Sequence, residues 1–371
     1  MKRRQFVAGL GAGAALTSMA ACGQQAADCG PTIAGEQQTW KLKMVTTWPP
    51  NFPGLGTGAN TMARYLNEAS GGRIEVQVFA AGELVPAFEV FDAVSAGTAD
   101  LGHGGAYYWR NKLEIAQLFG AVPFGLNAAE MNGWLYYGGG LDLWREAYEP
   151  FNLVPFPAGN TGAQMGGWFN KEINSIADLQ NLKMRLPGLG GEVLRAVGGT
   201  PVALPGGEIF TSLKTGVIDA TEWVGPYNDI AFGLHKAAKY YYYPGWHEPG
   251  PTLELTVNKT LWDEFPDDIK AIFEVAAEAA NLDMLSEYAF RNATAFKQIV
   301  DDPNVELRRF PKDVTDTLRA ATDELLDSIA AKDEFAAKVW ASYRTYRDES
   351  RAFHRLTEEA MFESRLPSSS G

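Results

Sequence analysis

Strand-like and helix-like segments alternate along this chain, and the alternation starts over near residue 151. "WKLKMVTTW" (40–48) alternates apolar and polar residues as a half-buried strand does. Met62, Leu66 and Ala69 then recur at helical spacing until Gly71-Gly72 stops them. "RIEVQVFA" (73–80) alternates again and precedes the helix-like "AFEVFDAVSAGTAD". That order predicts an α/β lobe with parallel pairing. From residue 151, "NLVPFPAG" and "MGGWFN" read as extended, "SIADLQN" as a short capped helix and "LKMRLPG" as a strand. "GGEVLRAVGG" reads as a helix, "TPVALP" as a strand and "GGEIFTSLKTGVIDATEW" as a helix running into a turn. After about residue 262 the pattern is mostly helical, with long helices near 266–300, 312–331 and 333–364. The expected organisation is a first lobe over 40–150 plus about 250–310, a second over 151–249, and C-terminal helices over 311–371.

Burial alone must hold such a fold. The only two cysteines, Cys22 and Cys29, stand in the N-terminal leader, which rules out a disulfide framework. With 46% hydrophobic residues there is ample apolar material, and 371 residues exceed the size at which single cores split. The leader itself reads as an address over residues 1–29. Lys2, Arg3 and Arg4 precede an uncharged run, Val7 to Ala21, too short and too rich in small residues to span a bilayer. Arg3-Arg4 before Gln5-Phe6-Val7 resembles a twin-arginine export signal. Ala20-Ala21 before Cys22 resembles a lipoprotein processing site, with Met19 where Leu is usual, and acylation there would tether a periplasmic domain. The net charge is −13 and becomes three charges more negative once the signal carrying Lys2, Arg3 and Arg4 is removed ahead of Cys22. An acidic exported domain is poorly suited to nucleic acid or anionic membrane. A site for an anion would have to supply its own positive charge.

Enzyme motifs are absent from the sequence: no GxSxG elbow, no Walker loop, no HExxH and no cysteine ligand pair. "GLGAGAA" (9–15) follows no strand and lies in the leader. The histidines, His103, His235, His247 and His354, have no zinc spacing. His103 stands in "LGHGGAYYW", and His247 with Glu248 in "YYPGWHEPG". "DATEWVGPYND" (219–229) sets Asp219, Glu222 and Asp229 around Trp223, an arrangement open to catalysis, metal binding or packing. Asp219 and Asp229 read as a helix-end and a turn acid. Glu222 with Glu248 would be the acid and base of a secreted hydrolase, the alternative function. "KYYYYPGW" reads as a hinge-side strand. The last helix carries Phe335, Val339, Tyr343, Tyr346, Phe353 and Leu356 as a stripe, packing on its own lobe or on a partner subunit.

"LQNLKMRLPG" followed by "GGTPVALPGGEIFTSLKTGVIDATEW" resembles the solute-binding proteins of tripartite ATP-independent periplasmic (TRAP) transporters, over roughly residues 40 to 360. "GNTGAQMGGWFNKE" and "TEWVGPYND" resemble the branch that binds 2-oxo acids such as pyruvate, or lactate, together with a metal ion. The resemblance implies a two-lobed periplasmic-binding-protein-like α/β fold with the ligand cleft between the lobes, and binding without catalysis. It places Arg185 on the ligand carboxylate, where a planar permanent cation matches two oxygens. It places a cation on Glu222, the Trp223 carbonyl and the Gln164 amide. These are oxygen donors for a hard ion, Na⁺ ahead of Ca²⁺. Trp48, Tyr107, Tyr108 and Asn160 are expected around the ligand, with one of the tyrosines facing it, and Glu248 as a further acceptor. The partners implied are a small organic acid and the transporter's membrane subunits. Some relatives form homodimers through the C-terminal helix, with which the apolar stripe is compatible.

Overall fold

The computed structural model describes residues 38–365. The expected signal over residues 1–29, with its twin-arginine pair and Cys22, lies outside the described residues. The strands in chain order are β1 (Trp40–Thr46), β2 (Ile74–Phe79), β3 (Leu101–Gly104), β4 (Leu153–Asn160), β5 (Gly167–Phe169), β6 (Lys183–Arg185), β7 (Thr200–Val202), β8 (Ala220–Thr221), β9 (Tyr240–Tyr243), β10 (Thr252–Asn258) and β11 (Glu306–Arg309). They form two sheets ordered β2-β1-β3-β10-β4 and β11-β9-β5-β8-β6-β7. The α/β expectation holds.

The first sheet follows from its sequence pattern. β1 pairs in parallel with β2 from Trp40↔Ile74 to Val45↔Phe79, and with β3 on its other side. Between β1 and β2 the helix Gly56–Ala69 buries Met62 and Leu66. Gly71 and Gly72 then turn the chain at φ of +63° and +83°, which side-chain-bearing residues rarely adopt. β10 and β4 close this sheet in antiparallel fashion.

β4 overturns the expected lobe boundary at residue 151. Its eight residues are all buried, and such a run does not tell one sheet from the other. Pro155 and Pro157 fit an edge position because proline offers no donor to a further strand. The chain therefore enters the second lobe only through residues 161–166 and returns at 244–251. It crosses a third time, entering the second lobe again, after the helix Asp267–Val300, because β11 pairs in parallel with β9. Residues 306–309 thus belong to the second sheet, not to a first-lobe segment ending at 310. "SIADLQN" forms a short 3₁₀ turn, Ile176–Leu179, with Ser175 and Asp178 capping each other.

One apolar cluster joins Trp40, Met62 and Phe156 of the first lobe to Trp168, Leu213 and Trp223 of the second. The helix Lys312–Ala330 bridges the lobes as well, with Val314 and Leu318 in a second-lobe cluster and Leu326 and Ile329 in a first-lobe cluster. In the helix Glu334–His354, Val339, Trp340 and Tyr343 pack on the first lobe. Tyr343 accepts a hydrogen bond from the Leu126 amide at 2.9 Å. The stripe leaves that surface farther on, where Phe353 and Leu356 are exposed.

Gly167 fixes β5 against the turn that follows β8. Its φ is +111°, and a Cβ there would lie 2.5 Å from the Thr221 carbonyl oxygen. Gly167→Ala is expected to lower stability by about 1–3 kcal/mol, read by denaturant unfolding. An unchanged midpoint would show that this backbone position carries no such constraint.

Candidate ligand and cation site

Six segments converge between the lobes. The end of β6 delivers Arg185, and the turn after β8 delivers Glu222, Trp223 and Val224. The first crossing delivers Thr161 and Gln164, and the second delivers Glu248. The segment after β3 delivers Tyr107 and Tyr108, and the end of β1 delivers Trp48. Together with Leu55, Pro187 and Leu253, these residues enclose a cavity of about 10 Å³. That is room for one water.

Arg185 is 2% exposed and Glu222 1% exposed. Arg185 Nη1 pairs directly with Glu222 Oε1 and also donates to the Glu222 carbonyl at 3.3 Å. Nη2 donates to the Tyr108 hydroxyl at 3.3 Å, and Nε to the Leu204 carbonyl at 3.3 Å. The guanidinium lies 5.0 Å from the centre of the Trp223 ring. Burial opposes the Arg185 charge, but the Glu222 carboxylate beside it raises its pKa. His247 Nε2 stands 3.5 Å from the other Glu222 oxygen.

Gln164 is held by its own backbone. Its amide donates to the Glu248 carbonyl at 3.2 Å and its carbonyl accepts from Gly245 at 3.0 Å. The side-chain Nε2 donates to the Thr161 hydroxyl at 3.0 Å, while the buried Oε1 has no partner. A buried amide oxygen left open beside a carboxylate suits a hard cation. Among the described residues no group of three His, Cys, Asp or Glu is placed to hold a metal. Burial raises the Glu248 carboxyl well above its ordinary range, and the negative charge of Glu222 adds to this. Burial likewise raises Tyr107, again with Glu248 adding.

Trp48 is anchored by donation from Nε1 to His103 Nδ1 at 2.8 Å. Burial lowers the His103 pKa to about 4, so the ring is neutral and carries its proton on Nε2, toward the Ala158 carbonyl. Both tyrosines border the cavity, but Tyr108 alone bonds Arg185. Asn160 departs from expectation: it does not line the cavity. Its Nδ2 donates to the Gly250 carbonyl at 3.3 Å and its Oδ1 accepts from Gly162 at 2.8 Å, so it staples the two crossings together. Asp219 ends its segment as read, accepting from the Lys183 amide at 2.9 Å.

Asp229 is a buried acid rather than a turn acid. Its Oδ2 accepts from Trp168 Nε1 at 3.0 Å and from the Tyr241 hydroxyl at 2.7 Å. The first lobe repeats the arrangement. There Glu254 accepts from Trp109 Nε1, and from the Tyr148 hydroxyl at 2.8 Å. The sequence reading missed His247 and this role of Asp229. The one signal for His247 was its place in an aromatic Gly/Pro turn beside Glu248.

A family model described as bacterial extracellular solute-binding protein, family 7, matches residues 44–333. The chain belongs to that family. It is therefore a solute-binding receptor of the TRAP type and not an enzyme, which removes the hydrolase alternative. A monocarboxylate 2-oxoacid-binding periplasmic protein of Nostoc sp. is 41% identical over 358 residues, covering 96% of this chain and 97% of its own. A TRAP periplasmic solute-binding protein of Pseudoalteromonas atlantica, solved with bound sodium and pyruvate, is 42% identical with a TM-score of 0.86. It covers 89% of this chain and 100% of that one. One of Colwellia psychrerythraea, solved with bound calcium and pyruvate, is 41% identical with a TM-score of 0.86, covering 88% and 100%. No helix among the described residues of this family 7 receptor is long and apolar enough to cross a membrane.

Burial pushes Asp229 and Glu254 each up to about 7. Unfolded carboxyls titrate near 4. The native state thus keeps these protons to higher pH than the unfolded chain. The contribution of these two groups to stability is full below about pH 4, falls as pH rises toward 7, and levels off above. Asp229→Asn should make that fall shallower by about 1 kcal/mol per pH unit between pH 5 and 6. Denaturant unfolding across the window checks it, and an unaltered slope would mean that Asp229 does not titrate there.

Proposed function

We propose that this receptor binds a small 2-oxo or 2-hydroxy monocarboxylate, pyruvate foremost, through Arg185 and a cation held by Glu222, Gln164 and the Trp223 carbonyl. The observation that carries this reading is the buried Arg185–Glu222 pair beside the open Gln164 oxygen. Binding exchanges partners. Arg185 turns its two parallel donors to the ligand carboxylate, and Glu222 takes the cation, which also meets the ligand's 2-oxygen. The bound cation supplies the charge that lets Glu222 and an anion share one buried site. Glu222 supplies one formal negative charge to the donor set, which favours Na⁺ over Ca²⁺. The two pyruvate-bound relatives, one with sodium and one with calcium, support the cation reading. Tyr107, Tyr108 and Trp48 wall the ligand, and exclusion of water strengthens each charged contact. The closed lobes are the form offered to the transporter's membrane subunits. Residues 1–29 serve as the export signal, with Cys22 as a lipid anchor.

Titration of pyruvate by calorimetry after chelator treatment tests the site. Wild-type protein should bind one equivalent more weakly without Na⁺ or Ca²⁺. Arg185→Ala should lose at least tenfold in affinity, the cost of a charged hydrogen bond of about 1.5–3 kcal/mol. Glu222→Gln should bind with no metal response. Metal-independent binding would return Glu222 to a structural role, and no binding of any 2-oxo or 2-hydroxy acid would sink the ligand reading.

The receptor also forms a homodimer through its last helix in our reading. Beyond His354 this helix exposes Leu356, Met361 and Phe362 among Glu358, Glu359 and Glu363. A groove of about 860 Å³ offers Phe124, Trp246 and Phe310 beneath Arg309, Lys312, Arg319 and Arg351, a match in both apolar surface and charge. Analytical ultracentrifugation should show a dimer in the wild type and a monomer in Leu356→Glu/Phe362→Glu. A monomeric wild type at tens of micromolar would overturn it.

A further inference from the structure

A second compartment of about 370 Å³ lies against the buried site. Tyr107, Tyr108 and Pro187 border both compartments, so they form the wall between them. The outer rim carries Arg110 and Lys112 from the first lobe and Arg195 from the second, against one acid, Glu192. Arg110 and Glu192 pair across the cleft, with side chains 34% and 27% exposed. Arg195 Nε lies 3.9 Å from the same Glu192 oxygen, and Lys112 pairs with Asp92 at 2.7 Å. Just inside, Gly188 adopts φ +63°, and a Cβ there would lie 2.9 Å from the Tyr107 Cβ. Its neighbour Leu189 packs into the first lobe's apolar cluster. The lobes therefore meet at the mouth through a tight apolar contact and one ion pair.

An anion approaching a chain of net charge −13 is repelled at long range. The rim cations Arg110, Lys112 and Arg195 outnumber the acids paired with them, Glu192 and Asp92, and so oppose that field at the mouth. We propose that Arg110 is a capture site for the ligand carboxylate and that Glu192 is the latch that closes behind it. The incoming acid displaces Glu192 from Arg110, passes the wall at Tyr108 and reaches Arg185; Glu192 then pairs with Arg110 again. The exchange is carboxylate for carboxylate on one guanidinium fork, so each step replaces a charged hydrogen bond with another of the same kind. Tyr108 touches both stations, since it borders the outer compartment and its hydroxyl accepts from Arg185 Nη2 at 3.3 Å. The inference rests on the carboxylate-receptor reading, but its capture site and latch, Arg110 and Glu192, are residues which that reading does not use.

Stopped-flow tryptophan fluorescence on the full chain in Na⁺ buffer, with pyruvate as the probe, separates capture from release. Glu192→Gln should release pyruvate about two- to fivefold faster, the worth of a partly exposed ion pair. Arg110→Gln should capture it severalfold more slowly and lose most of the fall in association rate with added salt. The swap Arg110→Glu/Glu192→Arg should restore slow release, which a folding defect would not. Unchanged release in Glu192→Gln, unchanged capture in Arg110→Gln, or a swap that leaves release fast overturns the proposal. Equilibrium titration of the wild type keeps the two readings apart. A chain that binds no 2-oxo acid overturns the receptor reading and this one with it. A chain that binds pyruvate with both rate constants untouched by the variants overturns the capture site alone.

Discussion

The buried pairing of Arg185 with Glu222 is the constraint around which the second lobe is arranged. Removing two charges from water costs several kcal/mol per ion, and an apolar pair of the same volume would hold a core at least as well. Stability is therefore a weak reason for the pair to exist. Exchange is a better one, because each partner is already desolvated and already oriented when ligand and cation arrive. The supporting contacts fit that role. The Arg185 Nε is fixed to the Leu204 carbonyl, so the fork turns about a held base. Gly167 brings β5 within reach of the Thr221 and Glu222 backbone, which sets the carbonyls of the following turn.

The three passages of the chain between lobes tie this chemistry to movement. Gln164 lies in the first passage, and Trp246, His247 and Glu248 lie in the second. Their backbones are joined by the Gln164–Glu248 and Gly245–Gln164 hydrogen bonds. Asn160 adds a side-chain staple from the end of β4 to Gly250. A change in the angle between lobes therefore moves ligating groups directly, which is what a receptor needs if closure is to report occupancy. The helix Lys312–Ala330 limits the range, since its two halves are packed in different lobes.

Much of this was legible from residue order, and the exceptions share a cause. The first α/β lobe followed from two alternating strands and the glycines between them. That Arg185, Glu222 and Gln164 come together around one cavity was legible because a motif fixes each on a local segment that has little freedom to point elsewhere. β4 was misplaced because an all-buried strand carries no facing signal, and only its prolines hinted at a sheet edge. Asp229 was misjudged for a similar reason. Its partners Trp168 and Tyr241 come from two other strands, and spacing along one segment says nothing about them. Asn160 was assigned to the ligand on residue type, whereas two neighbouring backbone groups claim its amide.

The paired Trp–acid–Tyr trios suggest how so acidic a chain can keep an anion site. Glu254 in the first lobe and Asp229 in the second are both capped by an indole N–H and a phenol, and burial holds both near neutrality. Each caps the underside of a ligand-lining segment: Trp109 follows Tyr107 and Tyr108, and Asp229 lies in the helix after Glu222 and Trp223. A full negative charge at either position would act through a low-dielectric interior on the site a few residues away. With pKa values raised to about 7, the two acids supply acceptors that fix these segments while carrying less charge at neutral pH than ordinary carboxylates would. Most of the chain's acidity then lies on its outer surface, where salt screens it within about 8–10 Å, and the charged pair left in the interior beside the cavity is Arg185 with Glu222.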